Sequence, residues 1–136
     1  MSHEIDITSL ERAIRALEAA LMRHAATPAD DLVRDGCIQR FEFTYELSYK
    51  MLKRFLEATS ENPPEFDKMS FQNIIRTGSE RDLLLNDLPR WIEYRTARGT
   101  TSHAYDEVKA KQVFAIIPAF LAEARHLRDR LREELA

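Results

Sequence analysis

Arg98, His103 and Tyr105 fall in one short stretch with the spacing Arg-x4-His-x-Tyr. These residue types suit chemistry at a phosphodiester. An imidazole gains or loses a proton near neutral pH and can act as general base or acid. A guanidinium makes two parallel hydrogen bonds to a phosphate and stabilises charge as it develops. With RNA the 2′-hydroxyl supplies the nucleophile, so this pair requires no metal. The Tyr105 phenol could stack on a base, donate to phosphate, or itself accept a transferred nucleotide. Thr101 and Ser102 add hydroxyls, and Asp106 follows directly. The alternative reading is capping and local packing, because an Arg, a His and a Tyr in one loop are common.

The stretch lies where the helical pattern breaks, at Gly99, Thr100, Thr101 and Ser102. A first helix is expected over 9–26, opened by Thr8 and Glu11 as a capping box and carrying the stripe Leu10, Ile14, Leu17 and Leu21. A second, over 29–59, starts at Asp30 and Asp31, where the helix dipole favours anions. Its seam of Ile38, Phe41, Tyr45, Ser48, Leu52 and Phe55 alternates steps of three and four, as in antiparallel bundles. Pro63 and Pro64 mark a loop. A short helix over 70–77 carries Phe71, Ile74 and Ile75, with Gly78 as its C-terminal cap. Another spans 80–97 with Leu84, Leu88, Trp91 and Ile92 inward, its start open because Pro89 suits a first turn. The last, over 104–135, carries the stripe Val113 to Leu131 and a kink at Pro118. The free N–H groups at its start form a natural anion site beside His103.

The fold class that follows is all-α: an antiparallel up-and-down four-helix bundle with one short or broken helix pair, a single domain over residues 1–136. Helices of this length leave an apolar face that a homodimer would cover. Only 3 of the 136 residues are Gly, which favours long helices over turn-rich sheet. The net charge of -3 argues against a dedicated duplex-DNA binder. The single cysteine, Cys37, forms no intrachain disulfide, and no apolar run suggests a signal peptide or a membrane span; a cytoplasmic protein is expected.

Glu42, Glu46 and Lys50 lie four apart on one face of the second helix, where Glu46 and Lys50 should pair and Glu42 and Glu46 repel. That face could line a cleft near Arg98. Phe41, Phe43, Tyr45, Tyr49 and Phe55 read as core and dimer interface rather than a stacking platform. Arg125, Arg128, Arg130 and Arg132 interleave with Glu123, Asp129, Glu133 and Glu134 as a solvated mixed-charge face. His3, His24 and His126 are isolated, and no metal site is expected.

The Arg98-x4-His103-x-Tyr105 spacing resembles the signature of the HEPN superfamily. The block Ile38-Gln39-Arg40-Phe41-Glu42-Phe43-Thr44-Tyr45-Glu46-Leu47 and the block Thr101-Ser102-His103-Ala104-Tyr105-Asp106-Glu107 resemble two blocks of its nucleotidyltransferase substrate-binding protein branch. The resemblance covers nearly the whole chain. It implies a four-helix bundle, a homodimer within a larger hetero-oligomer, and a minimal nucleotidyltransferase encoded nearby. Two activities are implied. In one, the bundle is the substrate-binding half of a split nucleotidyltransferase. In the other, it is the toxin of a toxin–antitoxin pair, a metal-independent endoribonuclease acting on an RNA substrate. Arg98 and His103 would then be the ribonuclease pair, and Tyr105 the site where the partner adds nucleotides. No intrinsic cofactor is expected, since the chain has no Gly-Ser followed by an Asp-x-Asp pair of its own. Nucleotide (ATP) with Mg would be handled by the partner nucleotidyltransferase. Gly99 departs from the pattern, because active HEPN ribonucleases usually carry a polar residue directly after the Arg, and this weighs against cleavage. A structural interaction bundle with no chemistry is the remaining alternative.

Overall fold

Residues 5–136 are described by a computed structural model; His3 lies outside them. The described residues form five α-helices: α1 (Thr8–Ala26), α2 (Asp31–Ala58), α3 (Phe71–Glu80), α4 (Leu88–Thr100) and α5 (Glu107–Leu135). Two 3₁₀ turns, Pro63–Asp67 and Thr101–His103, join α2 to α3 and α4 to α5. The long helices α1, α2 and α5 pack on one another, and the short pair α3 and α4 fills the fourth position against α2 and α5. This is the expected bundle with a broken helix pair. No helix of the described residues is long and apolar enough to cross a membrane.

The apolar spacing builds the core. Leu10, Ile14 and Leu17 of α1 are buried, as are Ile38, Phe41, Tyr45, Ser48, Leu52 and Phe55 of α2 and Val113, Ile117, Phe120, Leu121, Ala124, Leu127 and Leu131 of α5. Phe120 is the aromatic centre. Its ring meets Phe41 at 5.2 Å edge-on and Tyr94 at 5.2 Å, with Tyr45 at 5.9 Å. One side chain thus ties α5 to both α2 and α4. Burying an aromatic of this size contributes about 1.5–3 kcal/mol, and edge-to-face contacts add to that.

Several helix ends differ from expectation. The Thr8–Glu11 capping box does not form. Ile7 holds the cap position, Thr8 is already helical with its N–H donating to Asp6 Oδ1 at 2.8 Å, and Glu11 reaches Arg132 on α5. Gly78 is not a cap; it lies buried inside α3, where a Cβ would come 3.0 Å from Leu52 Cδ1 and 3.2 Å from Leu84 Cδ1, so the glycine serves close approach rather than a turn. The left-handed residue after α3 is Asp82, at φ 59°, a conformation Asp tolerates. Pro89 sits in the first turn of α4, so that helix starts at Leu88. Ile92 is 44% exposed rather than inward. Gly99 is helical, and the break falls after it, at 101–106. Helix α5 starts at Glu107 rather than Ala104, and it continues through Pro118.

Glu123 also departs from the solvated face expected for the C-terminal charges. Its side chain is fully buried and accepts from Leu85 N at 2.6 Å, Asn86 N at 3.0 Å and Asn86 Nδ2 at 3.1 Å. It pins the α3–α4 loop onto α5. Burial pushes its carboxyl above the usual carboxylate range, against the pull of those donors. Arg125 and Arg132 do lie at the surface, bridging to Glu18 and Glu11 on α1, whereas Arg128 and Arg130 are mostly covered, and Arg130 Nε donates to the Asp82 carbonyl at 2.8 Å.

Candidate functional site

The last turn of α4 presents Arg98, a third exposed, across the groove to α2. Its Nε donates to Glu46 Oε1 at 2.7 Å, and a second guanidinium nitrogen contacts the same oxygen. Glu42 Oε2 lies 3.5 Å from that nitrogen. The α2 face therefore does border Arg98, as the spacing of Glu42 and Glu46 suggested. The expected Glu46–Lys50 pair does not form among the described residues; Glu46 turns to Arg98, and Lys50 stays exposed. One cation facing two carboxylates leaves this corner net acidic.

The hydroxyls between Arg98 and His103 are used locally. Thr101 Oγ1 donates to the Arg98 carbonyl at 2.7 Å, and Ser102 Oγ to the Gly99 carbonyl at 3.3 Å. They satisfy carbonyls that the end of α4 would otherwise leave open. Asp106 is the N-cap of α5, accepting from Lys109 N at 3.1 Å. The helix N-terminus read as an anion site is thus filled by the chain's own carboxylate. For Thr101, Ser102 and Asp106 the capping reading is the one the geometry supports.

His103 and Tyr105 remain outside this network. Both are exposed, Tyr105 at 88%, with ring centroids 6.3 Å apart. The other tyrosines differ. Burial pushes the phenols of Tyr45, Tyr49 and Tyr94 above their ordinary range. Tyr105 alone among the 4 tyrosines offers an open phenol.

The turn that carries it is anchored from below by a residue sequence reasoning missed. Arg34 of α2, nearly buried, donates to Glu107 Oε1 at 2.6 Å and to Asp35 Oδ1 at 3.2 Å, with Asp31 at 3.6 Å. The Arg34 bond holds the Glu107 carboxyl below its ordinary range. Its signal in the sequence was an Arg flanked by acids at one and three residues' distance, which reads as an ordinary surface cluster. Among the described residues, no three His, Cys, Asp or Glu side chains gather as metal ligands. His24 packs against Phe114 with ring centroids 4.3 Å apart and planes tilted by 42°, and His126 is partly buried.

Comparison with known proteins shows the class to which this helical bundle belongs. Residues 5–133 match the family model "Nucleotidyltransferase substrate binding protein like". The chain belongs to this family. It is 36% identical over 141 residues to the Haemophilus influenzae protein named "Probable ribonuclease HepT", covering 98% of this chain and 96% of the relative. A solved Haemophilus influenzae structure, described as the fold of a substrate binding domain of a nucleotidyltransferase, superposes with a TM-score of 0.87 at 34% identity. That match covers 93% of this chain and 99% of the other.

Proposed function

We propose that this chain is the substrate-binding partner subunit of a minimal nucleotidyltransferase, one half of a toxin–antitoxin-like pair in the cytoplasm, and that Tyr105 accepts the transferred nucleotide. The observation that carries it is the 88% exposed phenol at the tip of the α4–α5 turn, in a chain whose family is named for nucleotidyltransferase substrate binding. In the transfer, the Tyr105 oxygen attacks the α-phosphorus of ATP. The bond to the pyrophosphate leaving group breaks, and the phenolic proton passes to solvent or a partner base. The partner handles ATP and Mg; this chain presents the acceptor on a turn braced by Arg34 and Asp106. Exposed Ile92 at the rim of an α4–α5 groove of about 300 Å³ supports a homodimer within the larger complex.

Co-expression with the neighbouring nucleotidyltransferase tests this. A shared complex by size exclusion and an added nucleotide mass on Tyr105, lost in Tyr105→Phe, are expected. Separate elution of the two proteins sinks the reading.

A metal-independent endoribonuclease is the second reading, favoured by the name of the 36% identical relative and by the exposed His103. The 2′-oxygen would attack the adjacent phosphorus as His103 takes its proton. The bond from phosphorus to the 5′-oxygen would break to leave a 2′,3′-cyclic phosphate and a 5′-hydroxyl protonated from solvent. Arg98, once released from Glu46, would stabilise the phosphorane charge. RNA cleavage in chelator, compared with His103→Ala, tests it; equal cleavage by both proteins rejects it. A Cβ at the exposed Gly99 meets nothing within 4 Å, so the position has room to begin a side chain, and Gly99→Asn, which supplies the polar residue usual there, should raise cleavage.

A further inference from the structure

Arg98 is the signature's cation, yet it is already paired. One turn earlier on α4, Arg95 is exposed and joins no ion pair among the described residues. Its guanidinium carbon instead sits 4.5 Å from the Phe71 ring centroid, and Phe71 stacks on Tyr49 at 5.5 Å with planes 28° apart. An exposed arginine is ordinarily mobile; the ring beneath this one holds its plane in a fixed place.

The α2 side of the groove changes character at the same point. Glu42 and Glu46 face Arg98, and the next positions on that face are Tyr49, Lys50 and Lys53. Neither lysine is ion-paired among the described residues. The groove is thus acidic at Arg98 and, one to two turns along, basic and aromatic. Residues three apart on a helix set their Cβ atoms about 5–6 Å apart, so Arg95 and Arg98 can serve neighbouring positions on one strand. Cations beside stacked rings are the arrangement that holds single-stranded nucleic acid, and an arginine plane can itself stack on a base. The net charge of -3 argues against a dedicated duplex binder.

We propose that Arg95, Phe71 and Tyr49, with Lys50 and Lys53, form a subsite that holds single-stranded RNA next to Arg98. It rests on the ribonuclease reading for the kind of ligand, but it requires binding only, not cleavage. The strip makes first contact, because the Arg98 corner repels a polyanion until Glu46 lets go.

The test is fluorescence anisotropy with labelled uridine and adenosine homopolymers, in chelator and in the His103→Ala background so that cleavage does not enter. Arg95→Ala should weaken binding about fivefold or more, the equivalent of one lost stacking contact of about 1–3 kcal/mol. Arg95→Lys should keep the salt dependence and lose most of the affinity. Lys50→Ala with Lys53→Ala should flatten the salt dependence. Circular dichroism verifies that each variant folds. Unchanged affinity in Arg95→Ala, or tighter binding of duplex than of single strand, overturns the proposal. So does an Arg95→Ala protein that binds RNA normally but loses the nucleotidyltransferase, which would make the strip a protein interface. RNA binding that depends on Arg95 without any cleavage by the His103 protein upholds the subsite and rejects only the ribonuclease reading.

Discussion

Glu46 and Arg98 meet across the α2–α4 groove, fifty-two residues apart in sequence, through a hydrogen bond of 2.7 Å and a second contact to the same oxygen. The pair is part-exposed, so its net worth is about 0.2–1 kcal/mol. Its larger consequence is electrostatic: it keeps the Arg98 guanidinium occupied. Glu46→Gln should therefore leave thermal stability nearly unchanged and raise affinity for single-stranded RNA. The salt slope should steepen by about 0.7, the value for one further phosphate on a single strand. Glu42→Gln should do the same more weakly, since its oxygen is 3.5 Å away. Weaker binding in Glu46→Gln would show that the carboxylate orients Arg98 rather than blocking it.

Arg34 fixes the start of α5 and with it the turn that bears His103 and Tyr105. It gathers Glu107, Asp35 and Asp31 on one guanidinium. Arg34→Ala leaves those carboxylates facing one another, and Arg34→Lys keeps the charge but not the fork. Both variants should lower Tm by a few degrees. Amide exchange should quicken over 103–110 more than over the α1–α2 core, because local opening draws on the weakest anchored segment. A uniform increase across the chain would assign Arg34 to global stability alone.

The two helical glycines described in α3 and α4 should respond oppositely. At Gly99 a Cβ meets nothing within 4 Å; at Gly78 it comes 3.0 Å from Leu52 Cδ1 and 3.2 Å from Leu84 Cδ1. Gly99→Ala should stabilise the protein by about 0.5–1 kcal/mol, the usual gain of Ala over Gly inside a helix. Gly78→Ala should fall short of that gain, and Gly78→Val should cost about 1–3 kcal/mol through overpacking. Urea midpoints decide; equal gains for both Ala variants would mean that Leu52 and Leu84 move aside freely.

These glycines also explain which parts of the fold were legible. The stripes of α1, α2 and α5 were readable because burial follows the helical period, and every residue of the α2 seam is buried. Helix ends were misplaced where a glycine was taken as a stop. Inside a helix Gly costs only about 1 kcal/mol, too little to end a helix that its neighbours hold in place; only at Gly78 does packing favour the glycine itself. At the candidate site, the Arg–His–Tyr spacing was visible, and so was the neighbouring acidic face. The Glu46–Arg98 pair was not, because local i to i+4 reasoning favoured Lys50. Glu123 was hidden by the Arg and Glu residues around it, although it stands three residues after Phe120 and four before Leu127, on the buried stripe.

Glu123 gives the sharpest pH prediction. Burial raises its carboxyl above the ordinary 4.5 in the folded chain. The folded state therefore holds a proton that the unfolded state has released, and stability falls as pH rises from about 4.5 through the folded value. The contribution is fully present below 4.5. Glu123→Gln removes this titration but also puts an amide where Leu85 N and Asn86 N need an acceptor, and it should cost about 1–3 kcal/mol at acidic pH. As pH rises, the wild type should lose stability and the Gln variant should not, so the gap between them narrows. Urea midpoints of both proteins at stepped pH above 4.5 measure this. A gap that widens with pH would show that the three donors to the ionised carboxylate outweigh its burial, and that the loop is held by charge.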